Sequence, residues 1–322
     1  MELSYREALN QAMREEMRRD QRVFLIGEDV AYYQGAFKVS KGFIEEFGPR
    51  RVIDTPITEA GFTGLAIGAA MAGLHPIVEL MTMNFGIVAL DQIVNNAAKI
   101  RYMSGGQLSV PLVIRGPGSA AHQVRAQHSQ SLEAWFCHVP GLIVIAPATP
   151  HDAKGLLKSA IRDPDPVIFI EAQLLYSTKG EVQEGEFTIP IGVAEVKRTG
   201  RDVTIVAYSK MLLLALEAAE ALSREGVEAE VIDPRTLKPL DLRTIVASVK
   251  KTGRLVIVEE GWHFCGLGAQ IAESVYSTAF DSLDGPIRRV TGEDVPMPYC
   301  RPLEDAAIPD LPRVIEAVKS LL

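Results

Sequence analysis

One carboxylate stands at the head of an uncharged stretch. Residues 54–73 read DTPITEAGFTGLAIGAAMAG, and no charged residue follows Glu59 until Glu79. Two readings of Glu59 fit this pattern. In the first, Thr58 caps a helix and Glu59 lies in its first turn, where the helix dipole favours an acid. In the second, the carboxylate sits in an apolar pocket. Desolvation there raises its pKa, so that it can share a proton with a bound heterocycle, and the surrounding glycines leave room for a flat ring. Gly64 and Gly68 are four apart and share a helix face with Ala72. Small residues on one face permit close packing, either onto the chain's own sheet or onto a subunit partner, and spacing alone does not choose.

Other reactive residue types are sparser. His122, His128 and His138 are separated by six and ten positions, which does not match the tight pairs of zinc sites. His128 lies in AQHSQS, a polar loop before an expected helix. Most such histidines are structural, yet loops at the carboxyl ends of parallel strands are where ligands bind in open sheets. No GxGxxG follows a strand, and GxxxxGK[ST], HExxH and GxSxG are absent. GLGAQIAES, residues 266–274, is a glycine-rich turn into a helix without the third glycine, and reads as a helix start.

These residues must be positioned by a chain of 322 residues, 47% apolar and 23% charged, which suffices for two domains. A net charge of −8 argues against nucleic acid as a partner. Cys137, Cys265 and Cys300 are far apart and form no disulfide ladder, which indicates a reducing compartment. The charged, helix-like start MELSYREALNQAMREEMRRD predicts neither a signal nor a transit peptide, and a cytoplasmic location is expected. The uncharged run Ala60–Val78 contains Gly61, Gly64, Gly68 and Gly73 and reaches His75-Pro76, so no membrane span is expected.

Short runs rich in Val, Ile and Leu alternate with helical patterns. RVFLIGEDV, HPIVELMT, VPLVIRGPG, GLIVIAPAT and PVIFIEA predict strands, with helices over 60–73, 86–103, 129–137 and 150–162. The stretch 177–200 reads as a linker plus a hairpin, with a domain boundary near 190. A second α/β run follows: strands at DVTIVAYS, RLVIVEEG and IRRVTGEDVP, and helices at MLLLALEAAEALSREG, LRTIVASVKKTG, GLGAQIAESVYSTAF and LPRVIEAVKSLL. The expected fold class is α/β, with two doubly wound domains at 1–190 and 191–322, each a mainly parallel sheet covered on both faces.

Taken together, GEDVAYYQGAFKVSKGF, the stretch from Asp54 through MTMNF, AAKIRYMSGG, AQHSQSLEAWFCHVPGL, DAKGLLKSAIRDPDPVIFIE and RVTGEDVPMPYCRPLED resemble the beta subunits of thiamine-diphosphate-dependent 2-oxo acid dehydrogenases. The pyruvate-specific members are the nearest in these motifs. The resemblance covers essentially the whole chain. It implies a pyrimidine-binding domain followed by a transketolase C-terminal-type domain. It also implies thiamine diphosphate shared with an alpha subunit that grips the diphosphate and Mg²⁺ through a GDG motif, which this chain lacks. The implied assembly is an α2β2 heterotetramer serving a lipoyl acyltransferase core, between glycolysis and acetyl-CoA formation.

Residue by residue, Glu59 matches the glutamate that bonds N1′ of the aminopyrimidine. Phe85 matches the aromatic residue packed on that ring, and Met83 and Ile57 line the same pocket. His128 matches the histidine that assists acyl transfer to the lipoyl arm. Carbonyls around Leu112, Ala160, Ile161, Asp163 and Asp165 match a potassium site of some members. Val88 departs from the glutamine of some relatives, so that polar contact is not carried over. The implied reaction is decarboxylation of a 2-oxo acid substrate, pyruvate ahead of acetoin or branched-chain 2-oxo acids, and reductive acylation of lipoamide. A non-catalytic scaffold of the same fold is the rival from another class.

Overall fold

The computed structural model describes residues 1–120 and 123–322. His122 falls outside the described residues. The chain divides into two compact units, Met1–Gly118 with Trp135–Ile191, and Ser119–Ala134 with Gly192–Leu322.

The first unit contains strands β1 (Glu2–Ser4), β2 (Val23–Gly27), β3 (Val52–Asp54), β4 (His75–Glu79), β5 (Val113–Gly118), β6 (Ile143–Ile145), β7 (Val167–Ala172) and β8 (Lys179–Glu181). Within it, parallel strands run in the order β6-β7-β5-β4-β2-β3. Residues of β2, β5 and β7 are buried throughout, as expected for a parallel sheet covered on both faces. Helix Tyr5–Arg19 starts with a capping box between Ser4 and Glu7. It lays Leu9, Ala12, Met13 and Met17 into a core shared with Ala153, Leu156, Leu157 and Ala160 of helix Pro150–Arg162. Between these helices, Lys154 and Lys158 are buried but reach Glu15 at 2.7 Å each, which supplies the partner that a buried charge requires.

Two expectations are corrected here. The stretch 86–103 is not one helix: it is a 3-10 turn Met83–Ile87, a π-helical turn Gln92–Ala97 and a short α-helix Ile100–Met103. Asn95 bonds Asp91 and Asn96 bonds Gln92, and such side-chain bonds compete with a regular helix. The stretch 177–200 holds no hairpin, because its two strands find distant partners. β8 pairs antiparallel with β1, and β9 (Glu195–Arg198) belongs to the second unit.

The second unit adds β10 (Val203–Ala207), β11 (Ala229–Asp233), β12 (Thr236–Lys238), β13 (Leu255–Trp262) and β14 (Arg288–Gly292). Its five-stranded sheet has the order β14-β13-β10-β11-β9, parallel except for β9. Helices Lys210–Ser223, Leu242–Thr252, Leu267–Ala279 and Leu311–Lys319 accompany it. Helix 129–137 is shorter than its pattern, Glu133–His138, and Arg301–Ala307 is a helix that the pattern did not show.

Candidate active site

In the first unit the chain passes from β2 outward to β3 and then returns across β2 to β4. This reversal is the switch point at which open α/β sheets leave a crevice outside the carboxyl ends of their strands. The segments leaving β2, β3 and β4 at that edge carry Glu28, Glu59, Met83 and Phe85.

Close backbone approach builds the edge. A Cβ on Gly27 would lie 2.4 Å from the Glu79 carbonyl, and one on Gly116 would lie 2.4 Å from the Leu80 carbonyl, so both positions require glycine. Glu59 opens helix Glu59–Met71, and Thr58 holds the cap position without a side-chain cap bond. The helix therefore starts at Glu59 without the hydroxyl cap expected of Thr58. The carboxylate is buried, at 7% exposure. Phe62, Thr63, Ala66, Ile67 and Ala70 form the helix's buried face.

Glu28 is equally buried, and its Oε1 has no hydrogen-bond partner among the described residues. Burial pushes its carboxyl up, and the nearby charges of Glu59 and Asp29 push it further. The hydroxyls of Thr55 and Thr63 are likewise buried and unpartnered among the described residues. Buried polar groups are normally satisfied, so unpartnered Glu28 and Thr55, each directly after a strand of this edge, fit a polar heterocycle. The sequence reading missed Glu28, Thr55 and Thr63. The signal available for Glu28 was its position directly after a glycine at a strand's carboxyl end.

Met83 is fully buried and Phe85 half-buried, in a turn that Thr82 caps by accepting from the Asn84 amide. Ile57 precedes the helix and is 84% exposed, so within this chain it encloses nothing. Val88 is also exposed.

His128 belongs to the second unit, exposed at the end of the 3-10 turn Ala126–His128. Its loop is anchored by Ala120 donating to Glu260 at 2.6 Å, Gln123 donating to Glu304 at 3.2 Å, and the Arg125 guanidinium 4.6 Å from the Tyr299 ring centroid. Ser119, Gln123 and Arg125 hold positive φ there, at 70°, 60° and 72°, the kind of backbone strain that clusters at functional loops.

The residues of the expected potassium site gather where helix Pro150–Arg162 ends. The Leu112 carbonyl accepts from Val167 N at 2.8 Å, and the Ala160 carbonyl accepts from Asp163 N at 3.3 Å. Asp165 N donates to the Asp163 carboxylate at 2.9 Å, and burial together with Asp165 pushes the Asp163 carboxyl up. A helix carboxyl end with spare carbonyl lone pairs suits a hard cation. Among the described residues, no group of three or more His, Cys, Asp or Glu is placed to hold a metal.

At GLGAQIAES, the first turn of helix Leu267–Ala279 is already filled by a carboxylate. Gly268 N donates to Glu259 at 3.0 Å, and a Cβ on Gly268 would lie 2.4 Å from that oxygen. These glycines admit an internal acid, not a phosphate.

Residues 1–179 match the model of the transketolase pyrimidine-binding domain, and residues 192–314 that of the transketolase C-terminal domain. A solved structure described as "Split gene transketolase, inactive beta4 tetramer" superposes with a TM-score of 0.82 at 26% identity, covering 99% of this chain and 98% of that one. The fold and the strand-edge site thus define a transketolase-type chain. Among curated proteins, the pyruvate dehydrogenase E1 component subunit beta of Rickettsia felis is 57% identical over 321 residues, covering 100% of this chain and 98% of the relative. The mitochondrial subunit beta-2 of Oryza sativa is 55% identical over 322 residues, covering 99% of this chain and 86% of the relative. The chain belongs to the family of pyruvate dehydrogenase E1 component beta subunits.

Proposed function

We propose that this chain is the proton-handling half of a pyruvate dehydrogenase first component, with Glu59 acting on thiamine diphosphate. The observation that carries the reading is the pair of buried carboxylates, Glu59 and Glu28, with unpartnered Glu28 Oε1 at a strand-edge crevice. Thiamine diphosphate supplies the carbanion chemistry that decarboxylates a 2-oxo acid. Glu59, buried at 7% exposure, holds a proton at N1′ of the aminopyrimidine away from bulk water. Phe85 and Met83 pack beside the ring and exclude water, and Ile57 joins them only when a partner covers it. Glu28, raised by burial and by Glu59, keeps negative charge from accumulating beside the ring. His128 assists acyl transfer to a lipoyl arm.

The diphosphate and Mg²⁺ are assigned to an alpha subunit in an α2β2 tetramer, since this chain contains no GDG. The split-gene transketolase, described as an inactive beta4 tetramer, supports the view that a beta-type chain lacks part of the active site. Residues 1–190 serve as the pyrimidine-binding domain with its linker, and 191–322 as the C-terminal domain that docks the acyltransferase core. Potassium at the Leu112, Ala160, Ile161, Asp163 and Asp165 segments and a cytoplasmic location complete the proposal. No helix among the described residues is long and apolar enough to cross a membrane.

The deciding experiment is Glu59→Gln in the chain assembled with its alpha partner, assayed with pyruvate. Loss of a general acid–base group lowers turnover by about 100-fold or more. An unchanged assembly mass with turnover reduced to this extent supports the assignment, and near-normal turnover rejects it.

A further inference from the structure

The first unit carries a groove of about 750 Å³ that the function above does not use. Helix Tyr5–Arg19 forms one wall, and the loop over residues 29–42 forms the other. Four cations line it, Arg6, Arg14, Lys38 and Lys41, together with Tyr33 and Asn10. In a chain of net charge −8 such a concentration is a local reversal of sign.

Two of the four cations, Arg6 and Lys38, are aimed by neutral oxygens alone. Arg6 donates to the Phe37 carbonyl at 3.3 Å, and Lys38 donates to the Tyr33 carbonyl at 2.5 Å while its ammonium lies 3.4 Å from the Tyr33 ring centroid. Arg14 donates to the Lys41 carbonyl at 2.9 Å and shares Glu46 with Arg18. Lys41 is exposed, with no carboxylate partner for its ammonium among the described residues. The acid lining the groove, Glu7, is held ionised by the Ser4 hydroxyl and amide, which turn it toward the helix cap.

The loop is strained and held by several side-chain hydrogen bonds. Asp29, Gln34 and Lys38 hold φ of 56°, 64° and 62°, and Gly35 and Gly42 are also left-handed. Asn10 clamps it by donating to the Val39 carbonyl at 2.6 Å and the Lys41 carbonyl at 3.1 Å, and Ser40 donates to the Val30 carbonyl at 2.7 Å. Asp54 accepts from the Ala31 amide at 2.6 Å. A pre-set arrangement of cations loses little freedom on binding, and backbone strain of this kind marks sites where geometry matters.

We propose that this groove binds a small polyphosphate-bearing ligand of nucleotide size. Guanidinium and ammonium groups at one concave site suit phosphate oxygens. The volume lies in the range of small-ligand sites, about 300–1,000 Å³. An acidic protein segment would need a broader, flatter cationic face than a single groove beside one helix. The phosphate chain supplies the recognition. Tyr33, 57% exposed, offers a ring beside it for a base.

The test is calorimetry on the full chain with magnesium-free tripolyphosphate, ATP and adenosine, at low salt and at 0.5 M salt, roughly the range over which screening of exposed charges becomes strong. Tripolyphosphate and ATP bind, about tenfold more weakly at high salt, and adenosine does not. Equal affinity for the two assigns the site to the phosphate chain alone, and tighter ATP binding assigns it to a nucleotide. Lys41→Glu weakens both by about tenfold, the weight of one charge-assisted hydrogen bond. Lys250→Glu, the same charge change on the exposed face of helix Leu242–Thr252, leaves binding unchanged. The proposal is overturned if neither polyphosphate binds more tightly than about 1 mM, which is only about −4 kcal/mol. Equal losses in the two variants, or adenosine binding as well as ATP, overturn it too.

Discussion

Glu133 shows how one side chain can set a pH dependence. It is 5% exposed, and burial pushes its carboxyl up to about 7 from an ordinary 4.5, with Glu260 and Glu259 adding to the rise and Lys210 opposing it. Lys210 is itself held by Glu260 at 2.8 Å and by the Ala120 carbonyl at 2.7 Å. The folded state therefore binds the Glu133 proton more tightly than the unfolded chain. Its favourable contribution is complete below pH 4.5, declines as pH rises to about 7, and amounts to about 3 kcal/mol. Glu133→Gln removes this slope. Denaturant unfolding at several pH values checks it: the variant gains on wild type between pH 5 and 8, and a constant difference across that range rejects the assignment. At this scale the sequence was legible for residue type. Glu59 announces itself as an acid before an uncharged run, and the structure buries it. Glu28 and Glu133 do not, because what distinguishes them is the loss of water and partners, and that depends on segments remote in the chain.

Among elements, the pattern worked best where one local rule decided the outcome. The strands Val23–Gly27, His75–Glu79 and Val167–Ala172 appear as short runs built around adjacent Val, Ile, Leu and Phe, and helix Pro150–Arg162 as a Thr-Pro start with an amphipathic body. It failed where tertiary contacts override propensity. The segment 83–103 keeps a helical composition but is divided into three, with Gly86 set against Phe136, where a Cβ would lie 3.2 Å from the ring. Gly141 fixes the far side of that segment. It has φ +96°, and a Cβ would lie 2.0 Å from the Ala98 carbonyl, at the end of the π-helical turn. Gly141→Ala combines left-handed strain with a backbone clash that no side-chain rotation relieves. Each costs about 1–3 kcal/mol, so a loss of about 2 kcal/mol or more is expected in equilibrium unfolding. Ser4→Ala is milder. It removes the hydroxyl that accepts from the Glu7 amide and donates to the Glu7 carboxylate, leaves the residue 4 backbone amide bonded to Glu7, and costs about 1 kcal/mol by the same measurement.

For the molecule as a whole, Gly64 and Gly68 stand in different surroundings. Gly64 faces the chain's own Gln92, whose Oε1 lies 3.0 Å from where a Cβ would be, whereas a Cβ on Gly68 meets nothing within 4 Å. Gly68 shares an exposed stripe with Gly61, Leu65 and Ala72, at helical spacing and without a charge. Leu65 is 59% exposed, and the same unit leaves Ile57, Val88, Tyr102 and Met103 more than half exposed. Uncharged exposed surface of this extent marks an interaction face in a chain that otherwise carries abundant charge. Gly68→Glu is the cleanest probe, since the side chain has open space in the isolated chain and the fold should be unaffected. If this face is covered in the assembly, the variant buries an unpaired carboxylate there at a cost of several kcal/mol, which weakens association by about 1,000-fold or more. Light scattering on the chain co-purified with its alpha partner measures the effect. The variant elutes as dissociated subunits with native circular dichroism, and retention of the wild-type mass would assign this helix face to solvent.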